Sequence, residues 1–326
     1  MAQRSFYVYK CLLHRTVEAT AAEIVINCRE AQERLGKVLH HLPPMFKKLR
    51  SGEEQQYTTL TLRNDKQIYV LSISDPKNVE LIDNTQSAYD VVNFPPAKVI
   101  FDNRDGICQM VIEHRSDAFS GKPDKLRDVL EAAINQELAQ YHLAVEINVK
   151  KRVGDFWEIV NESRAHHDRV KGVKFTFPNR QLVAPVANEE VLQMSETIRL
   201  ITEEATAMNA FEGVLQYNAK KDNALQLKNE GTMSNMVALC AGNGYDISVF
   251  FEKYGEFKYG DEQRLVYVMN DLIIEHYIKG DDEVDAIGAK TDLEKWLDEV
   301  YESAKHFDDA HTFNNHRKKR DKKLLH

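Results

Sequence analysis

The stretch that decides the fold runs from residue 97 to residue 114 and reads AKVIFDNRDGICQMVIEH. Two runs rich in apolar and β-branched residues flank Asp105-Gly106. An Asp-Gly pair favours the backbone conformations of a tight hairpin turn, so this stretch predicts a β-hairpin. An antiparallel pair of strands therefore lies at the centre of the predicted fold.

Downstream of this hairpin the pattern alternates between helix and strand. The apolar residues of 122–142 recur three and four apart, which predicts an amphipathic helix with Pro123 near its start. A strand, a shorter helix and a last strand follow at 143–151, 155–167 and 172–179. The order ββαβαβ indicates an α+β protein with mixed or antiparallel sheets and helices packed on one face.

The flanking regions predict further elements of the same kinds. Upstream, the patterns predict a strand over 4–15, a helix over 20–42 that ends before Pro43, and a hairpin that turns at Asn64-Asp65. Downstream, they predict helices over 188–208, 232–243 and 291–307, a hairpin over 211–231 that turns near Asp222, and two strands within 245–269.

The length of 326 residues suggests two domains. The segment RQLVAPVANEE, residues 180–190, has loop chemistry followed by a helix start and is interpreted as the boundary. The predicted division is an α+β domain at 1–187, a second α+β domain at 188–310 and a basic tail at 311–326.

The composition excludes several classes of protein. Its longest apolar runs are far shorter than the roughly 20 residues that cross a bilayer, and the N-terminal residues lack a secretion-signal pattern, so we expect a cytoplasmic protein without membrane contact. The four cysteines, at 11, 28, 108 and 240, form no close pair, so we expect buried thiols and no metal or other cofactor.

The net charge of −8 is unevenly spread along the chain. Residues 251–309 carry 7 Lys+Arg against 17 Asp+Glu, whereas residues 310–326 carry 6 against 1. A concentrated positive block binds polyanions by displacing their counterions. The acidic block at 281–309 would face a basic partner or imitate nucleic acid toward one.

Three basic runs are the predicted nucleic-acid contacts: Lys47, Lys48, Arg50, Lys150, Lys151, Arg152, Arg317, Lys318, Lys319, Arg320, Lys322 and Lys323. Two other interpretations of the tail stay open. It is a solvated terminal segment, or it folds back onto the acidic block beside it.

The segment AHHDR contains the first candidate catalytic or metal-binding residues, His166, His167 and Asp168. Histidine and aspartate side chains on a helix can together hold a metal ion. The alternative is a polar helix end, where basic side chains interact well with the helix dipole.

Glu212, Asp222 and Lys228 are the second set of candidates, because acidic residues beside a lysine resemble the metal site of a nuclease. The alternative is an ordinary turn, where Asp222 is at home. The sequence contains no phosphate-binding loop, dinucleotide fingerprint, zinc-protease motif or hydrolase elbow, so no motif names a reaction.

The segments KVIFDNRDGICQMVIEHR, KPDKLRDVLEAAINQ, VEINV, VKFTFPN and NGYDISVFFEKYG resemble uncharacterised bacterial proteins that are encoded near phage-defence genes. The resemblance covers about residues 95–260 and includes the strand-end residues Pro178, Asn179, Asn243, Gly244 and Tyr245. It implies a sensor or binding subunit in antiviral defence and identifies no catalytic residue.

The sequence therefore predicts an accessory or sensor protein of a bacterial antiviral defence system, which binds nucleic acid or a protein partner through charged surfaces. A metal-dependent nuclease effector is the first alternative. A structural subunit of an assembly, such as a homo-oligomer, is the second.

Overall fold

The structure is a computed structural model that describes residues 3–16, 28–48, 54–82, 88–178, 212–259, 264–280 and 290–303. Within these ranges the strands are β1 (Gln3–Arg15), β2 (Phe46–Lys48), β3 (Glu54–Gln56), β4 (Thr58–Asp65), β5 (Ile68–Ser74), β6 (Lys77–Ile82), β7 (Ala88–Asn93), β8 (Pro96–Asp102), β9 (Gln109–Glu113), β10 (Leu143–Val149), β11 (Val170–Pro178), β12 (Glu212–Asn218), β13 (Asp246–Phe251), β14 (Gly255–Tyr259) and β15 (Val266–Asn270). The helices are α1 (Cys28–His40), α2 (Pro123–Leu138), α3 (Val153–Ala165), α4 (Gly231–Asn243), α5 (Asp271–Lys279) and α6 (Asp292–Ser303).

The large sheet is built around β1, the longest of these strands. Its order is β10-β1-β9-β8-β5-β4, and every pair in it is antiparallel. One edge of β1 pairs with β9, whereas the other edge pairs with β10 over Tyr9–Arg15 and with β15 over Gln3–Tyr7. Strands β10 and β15 therefore lie end to end along the same edge of β1.

The backbone of Val8 closes the gap between these two strands. Its N–H donates to the carbonyl of Leu265 at 3.1 Å, and its carbonyl accepts from the N–H of Lys150 at 2.9 Å. The N–H of Leu265 donates in turn to the carbonyl of Lys150 at 2.8 Å, and Lys151 pairs with Arg264 as an isolated antiparallel bridge. We call this set of backbone contacts the junction.

The part of the chain between Lys151 and Arg264 forms a second, four-stranded sheet with the order β12-β11-β13-β14. It leaves the large sheet and returns to it at the junction. The boundary predicted at residue 187 does not separate the sheets, because β11 before it and β12 after it pair with each other. Strand β15, which the sequence assigned to the second domain, belongs to the large sheet.

The α+β class with antiparallel sheets is confirmed, but helices cover both faces of the large sheet. Helices α1 and α2 pack against one face, where Tyr9, Leu71 and Phe101 are buried. Helices α5 and α6 pack against the other, where Val8, Val70 and Ile100 are buried. Neighbouring residues of one strand point to opposite faces, so contiguous apolar runs such as VIF fill both cores.

Two predicted hairpins are confirmed, but one of them turns at a different position. Strands β8 and β9 pair as expected, and Gly106 has a φ of 76° in the turn between them. Strands β4 and β5 also pair, but their turn is at Lys66-Gln67, with φ of 48° and 64°, instead of at Asn64-Asp65. A tertiary contact stabilises this position, because the Asn103 N–H donates to the Gln67 carbonyl at 3.0 Å.

The hairpin predicted over 211–231 is wrong. Strand β12 pairs with β11 instead of with the segment that follows it, and residues 223–228 form no strand. The distant β11 competes better because its Phe175 and Val173, which belong to a buried core, lie opposite Leu215 and Tyr217. The helices predicted over 232–243 and 291–307 are confirmed by α4 and α6, and the helix predicted over 188–208 lies outside the described residues.

Helix α4 ends against β10, and Gly244 makes this contact possible. Gly244 has a φ of 74°, and an added Cβ would lie 2.5 Å from the Cβ of Asn148 and 2.9 Å from the carbonyl oxygen of Val149. Gly242, two residues earlier, has nothing within 4 Å of the same position.

We expect Gly244→Ala to lower the free energy of unfolding by about 2–3 kcal/mol, because a left-handed backbone and a blocked Cβ act together. Gly242→Ala is the matched control and should leave stability unchanged or raise it by up to about 1 kcal/mol, since alanine is the better helix former. Urea denaturation of both variants checks this, and equal losses would contradict the close approach of α4 to β10.

Candidate functional site

Asp168 has a structural contact that accounts for its position. Its carboxylate oxygens accept the backbone N–H groups of Lys253 at 2.8 Å and Tyr254 at 3.0 Å, in the turn between β13 and β14. His166 and His167 are exposed beside it. Among the described residues no three His, Cys, Asp or Glu side chains are arranged to hold a metal ion. Asp168 therefore serves as a cap for this turn.

The second set of candidates is not brought together. Asp222 is exposed in the turn that follows β12, and its backbone carbonyl accepts a hydrogen bond from Arg169 at 3.1 Å. Lys228 is exposed, and no hydrogen bond or ion pair joins it to Asp222 within the described ranges. The side chain of Glu212 lies outside what the structure describes.

The predicted basic runs are only partly described. Lys47 and Lys48 lie in β2, but their side chains are outside the described part, as are Arg50, Arg317, Lys318, Lys319, Arg320, Lys322 and Lys323. The expectation that Lys150 and Lys151 present their charges to phosphate is wrong, because only 2% and 5% of these residues is exposed. Arg152 is mostly buried and pairs with Asp155 at 3.0 Å.

The two buried lysines belong to the junction, and polar and aromatic groups hold their side chains. The Lys151 ammonium donates to the carbonyl of Tyr245 at 3.3 Å and lies 3.5 Å from the carboxylate of Asp246. The Lys150 ammonium donates to Gln109 at 3.3 Å and lies 5.1 Å from the centre of the Tyr301 ring. The methylene groups of a lysine side chain can be buried among apolar residues. A run of basic residues in the sequence does not show whether this happens.

Gln109 belongs to a buried polar network that fastens α6 to the large sheet. Its amide donates to the Asp102 carboxylate at 3.3 Å and to the carbonyl of Leu297 in α6 at 3.1 Å. Arg104 forms two hydrogen bonds of 2.7 Å with Asp102 and a third contact of 2.9 Å with Asp298 of α6. Burial acts to lower the pKa of Arg104, but Asp102 and Asp298 outweigh it and raise that pKa above its usual value.

This network was missed at the sequence level because its members lie far apart along the chain. The side chain of Asp102 is completely buried and has no surface for a substrate. We interpret the network as structural. Among the described residues, the predicted sites form no binding site. The exposed faces of the described part are therefore the remaining candidates.

The four-stranded sheet has one covered face. Val173, Phe175 and Val249 point into a buried core that also contains residues of α3 and α4. Residues that alternate with them point to the opposite side, which we call the open face.

A polar row crosses all four strands on the open face. Gln216 of β12 lies opposite Lys174 of β11, Lys174 lies opposite Ser248 of β13, and Ser248 lies opposite Lys258 of β14. Directly opposed residues of antiparallel strands project to the same side of the sheet, so these four side chains form one continuous line. Within the described part of the chain no hydrogen bond or ion pair engages the ammonium groups of Lys174 and Lys258.

An aromatic ring lies next to this row. Phe250 follows Ser248 on the same face of β13 and is paired with Gly172 and Glu256. A side chain at Gly172 would come within 3.1 Å of the Phe250 ring, so glycine leaves the ring room to lie over the sheet. Asp246 is a further acidic residue on this face, and its charge is offset by Lys151.

Comparisons with protein-family models, curated proteins and solved structures gave no match for this chain. No helix among the described residues combines the length and the apolar character needed to cross a membrane. The open face is therefore the feature whose geometry bears on function. Alternation in GVKFTF and ISVFF is the sequence signal that could have identified Lys174, Ser248 and Phe250, once the covered face was known.

We expect Asp168→Ala to lower the free energy of unfolding by about 1–2 kcal/mol, because two N–H groups of the β13–β14 turn lose a charged acceptor. Asp222→Ala is the control and should change stability by less than about 0.5 kcal/mol. Thermal denaturation with and without Mg²⁺ or Mn²⁺ checks this. A metal-dependent rise in stability that is lost in Asp168→Ala would contradict the capping role.

We expect Asp102→Ala to lower the free energy of unfolding by about 3–5 kcal/mol, since it leaves the buried network without its carboxylate. Asp298→Ala removes the more exposed partner of Arg104 and should lose no more than about 1 kcal/mol. Guanidinium denaturation followed by tryptophan fluorescence measures both, because Trp296 lies in α6. Losses of equal size would argue against a network centred on Asp102.

Proposed function

We propose that this protein is a nucleic-acid-binding accessory or sensor protein, and that the open face of its four-stranded sheet contacts the nucleic acid. The observation that carries the proposal is the row Gln216–Lys174–Ser248–Lys258, which places two lysines without ion-pair partners among the described residues on one line across the sheet.

The chemistry of this face suits a single strand. Lysine ammonium groups contact phosphates without regard to sequence. An aromatic ring on the outer side of a sheet offers a surface on which an unstacked base can lie, as in known single-strand binders, and Phe250 is a partly exposed ring of this kind. Phe250 supplies the ring, and the hydroxyl of Ser248 and the amide of Gln216 supply hydrogen bonds. A base within a duplex cannot stack on Phe250, so we propose single-stranded DNA or RNA.

The net charge of −8 requires that the contact be local. An acidic body repels phosphate at long range, so the lysines act at short range on a strand that has already approached. The predicted tail, with six Lys+Arg in residues 310–326, is part of the proposal as a second and non-specific contact.

The biological setting that we propose is bacterial antiviral defence, and it rests on the sequence resemblance alone. A sensor of this kind would recognise foreign nucleic acid and report to a protein partner. We do not propose the nuclease alternative, because Asp168 caps a turn and, among the described residues, no hydrogen bond or ion pair joins Asp222 to another candidate.

We expect Lys174→Gln/Lys258→Gln to weaken binding of a fluorescently labelled, single-stranded oligonucleotide roughly tenfold at low salt. The slope of log affinity against log salt should become shallower by about 1.4, because each lost phosphate contact of a single strand contributes about 0.7. Fluorescence anisotropy over a salt series measures both quantities.

The matched control is Lys221→Gln/Lys228→Gln, which removes the same charge from exposed positions outside the strands. It should leave the slope unchanged. Phe250→Leu should weaken binding by about 1–3 kcal/mol without changing the slope, since it removes only stacking. Equal effects of the two double variants, or no binding by the unmodified protein, would overturn the proposal.

Deletion of residues 316–326 tests the tail separately. A shallower salt slope after the deletion supports its contact with phosphate, and unchanged binding removes the tail from the proposal.

A further inference from the structure

A cavity of about 450 Å³ lies between α1 and the turn that joins β4 to β5. It is lined by Glu33, Gly36, Lys37, His40, His41, Gln67 and Tyr69. The volume is within the range of sites for small molecules, which is roughly 300–1,000 Å³. None of these residues belongs to the four-stranded sheet, so the cavity is separate from the open face.

The walls of this cavity come from two elements that the tertiary structure holds together. Lys37, His40 and His41 come from the C-terminal end of α1 and the residue after it, whereas Gln67 comes from the hairpin turn. Contacts with Asn103 fix that turn, because its backbone N–H donates to the Gln67 carbonyl at 3.0 Å. The side-chain amide of Asn103 also donates to the carbonyl of Gln32 in α1 at 2.9 Å. The cavity is therefore part of the fold and does not depend on a loose segment.

Gly36 keeps the floor of the cavity open. A β-carbon at this position would lie 3.0 Å from the Tyr69 hydroxyl oxygen and 3.3 Å from the Asn103 amide nitrogen. A glycine in the middle of a helix lowers helix stability by about 1 kcal/mol, so this close approach is maintained at some cost. It brings the Tyr69 hydroxyl up to the helix.

The hydrogen-bonding groups of the cavity are mainly donors. The side-chain amide of Asn64 contacts Nδ1 of His40, and a histidine ring nitrogen that carries a proton donates. Burial raises the pKa of Tyr69, so its hydroxyl stays protonated and can donate. Lys37 and Gln67 add an ammonium and an amide.

Glu33 is the one acidic residue among the described residues of the lining, and it has a cationic neighbour. The Glu33 carboxylate pairs with Arg29, one turn earlier in α1, at 3.5 Å. The ionisable groups left to a ligand are then Lys37, His40 and His41, which carry positive charge or none. The cavity therefore favours an anion.

We infer that this cavity binds a small molecule with a phosphate monoester group. Lys37, His40, His41, Gln67 and Tyr69 bring donors from two sides to one space, and the three terminal oxygens of a phosphate can accept from all of them. A carboxylate accepts at about four positions and carries a single charge, so it matches these five donor residues less well. A divalent cation is disfavoured because the described residues of the lining include a single carboxylate, Glu33, and such ions need several oxygen ligands.

A nucleotide and a sugar phosphate share this chemistry, so the test uses both. Isothermal titration of the full chain with inorganic phosphate, AMP and glucose 6-phosphate should show saturable binding to one site per chain. Tighter binding of AMP than of phosphate assigns a nucleotide, and tighter binding of glucose 6-phosphate assigns a sugar phosphate. Equal affinity for all three assigns the phosphate group alone as the recognised feature.

We expect Lys37→Gln/His41→Gln to weaken binding at least tenfold. Both residues are exposed at the end of α1, so the variant should fold. His276→Gln/Lys279→Gln is the matched control, because it removes the same two side-chain types from exposed positions of α5 and should leave the affinity unchanged. Gly36→Ala, whose β-carbon would lie 3.0 Å from the Tyr69 hydroxyl oxygen, should also weaken binding.

Two results would overturn the inference. One is the absence of binding to any of the three probes at about 10 mM, a concentration that would reveal even a millimolar site. The other is an equal loss of affinity in the cavity variant and in the α5 variant, which would indicate attraction by general surface charge. Neither result bears on the open face, whose test uses an oligonucleotide and other lysines.

Discussion

The backbone hydrogen bonds of Val8 are the constraint on which the rest of the structure depends. Strand β1 is longer than either of its partners on one edge, so β10 and β15 share that edge and meet opposite Val8. A buried backbone group needs a hydrogen-bond partner. The N–H and C=O of Val8 find theirs only where the end of β10 and the start of β15 meet, so the chain leaves and re-enters the large sheet at that point. The second sheet is thereby anchored at both ends, and its helices α3 and α4 are held against the large sheet.

The burial of charge follows from this arrangement. Lys150 and Lys151 continue directly from β10 and are drawn into the contact between the sheets, where carbonyl, amide and aromatic groups surround them. Breaking a buried charged contact is more destabilising than the contact is stabilising, so such groups specify one arrangement more than they add stability. The network of Asp102, Arg104 and Gln109 acts in the same way on α6. Lys150 and Lys151, which the sequence pattern predicted to lie on the surface, are thus buried.

Two exposed features remain for function, and they differ in character. The open face is a flat row of lysine, serine and glutamine side chains beside a phenylalanine ring, which suits an extended polymer. The cavity beside α1 is a small concave space lined with donors, which suits one compact anion. A protein with both could respond to a polymer and to a small molecule, and the two sites lie on different sheets. Their separate positions allow each to be altered without the other.

The local patterns determined the α+β class, the hairpin around Asp105-Gly106, and helices α2, α3, α4 and α6, because these depend on turn chemistry and on the spacing of apolar residues within a short segment. Tertiary structure alone decided that β12 pairs with β11 and not with its own successor, that β15 joins β1, and that Lys150 is buried whereas Lys174 is partly exposed. The burial of Lys150 and Lys151 was missed for the same reason. A lysine has the same letter in both environments, and only the pairing of distant strands determines which face it occupies. Sequence spacing records local geometry, whereas burial is set by contacts between residues that are far apart along the chain.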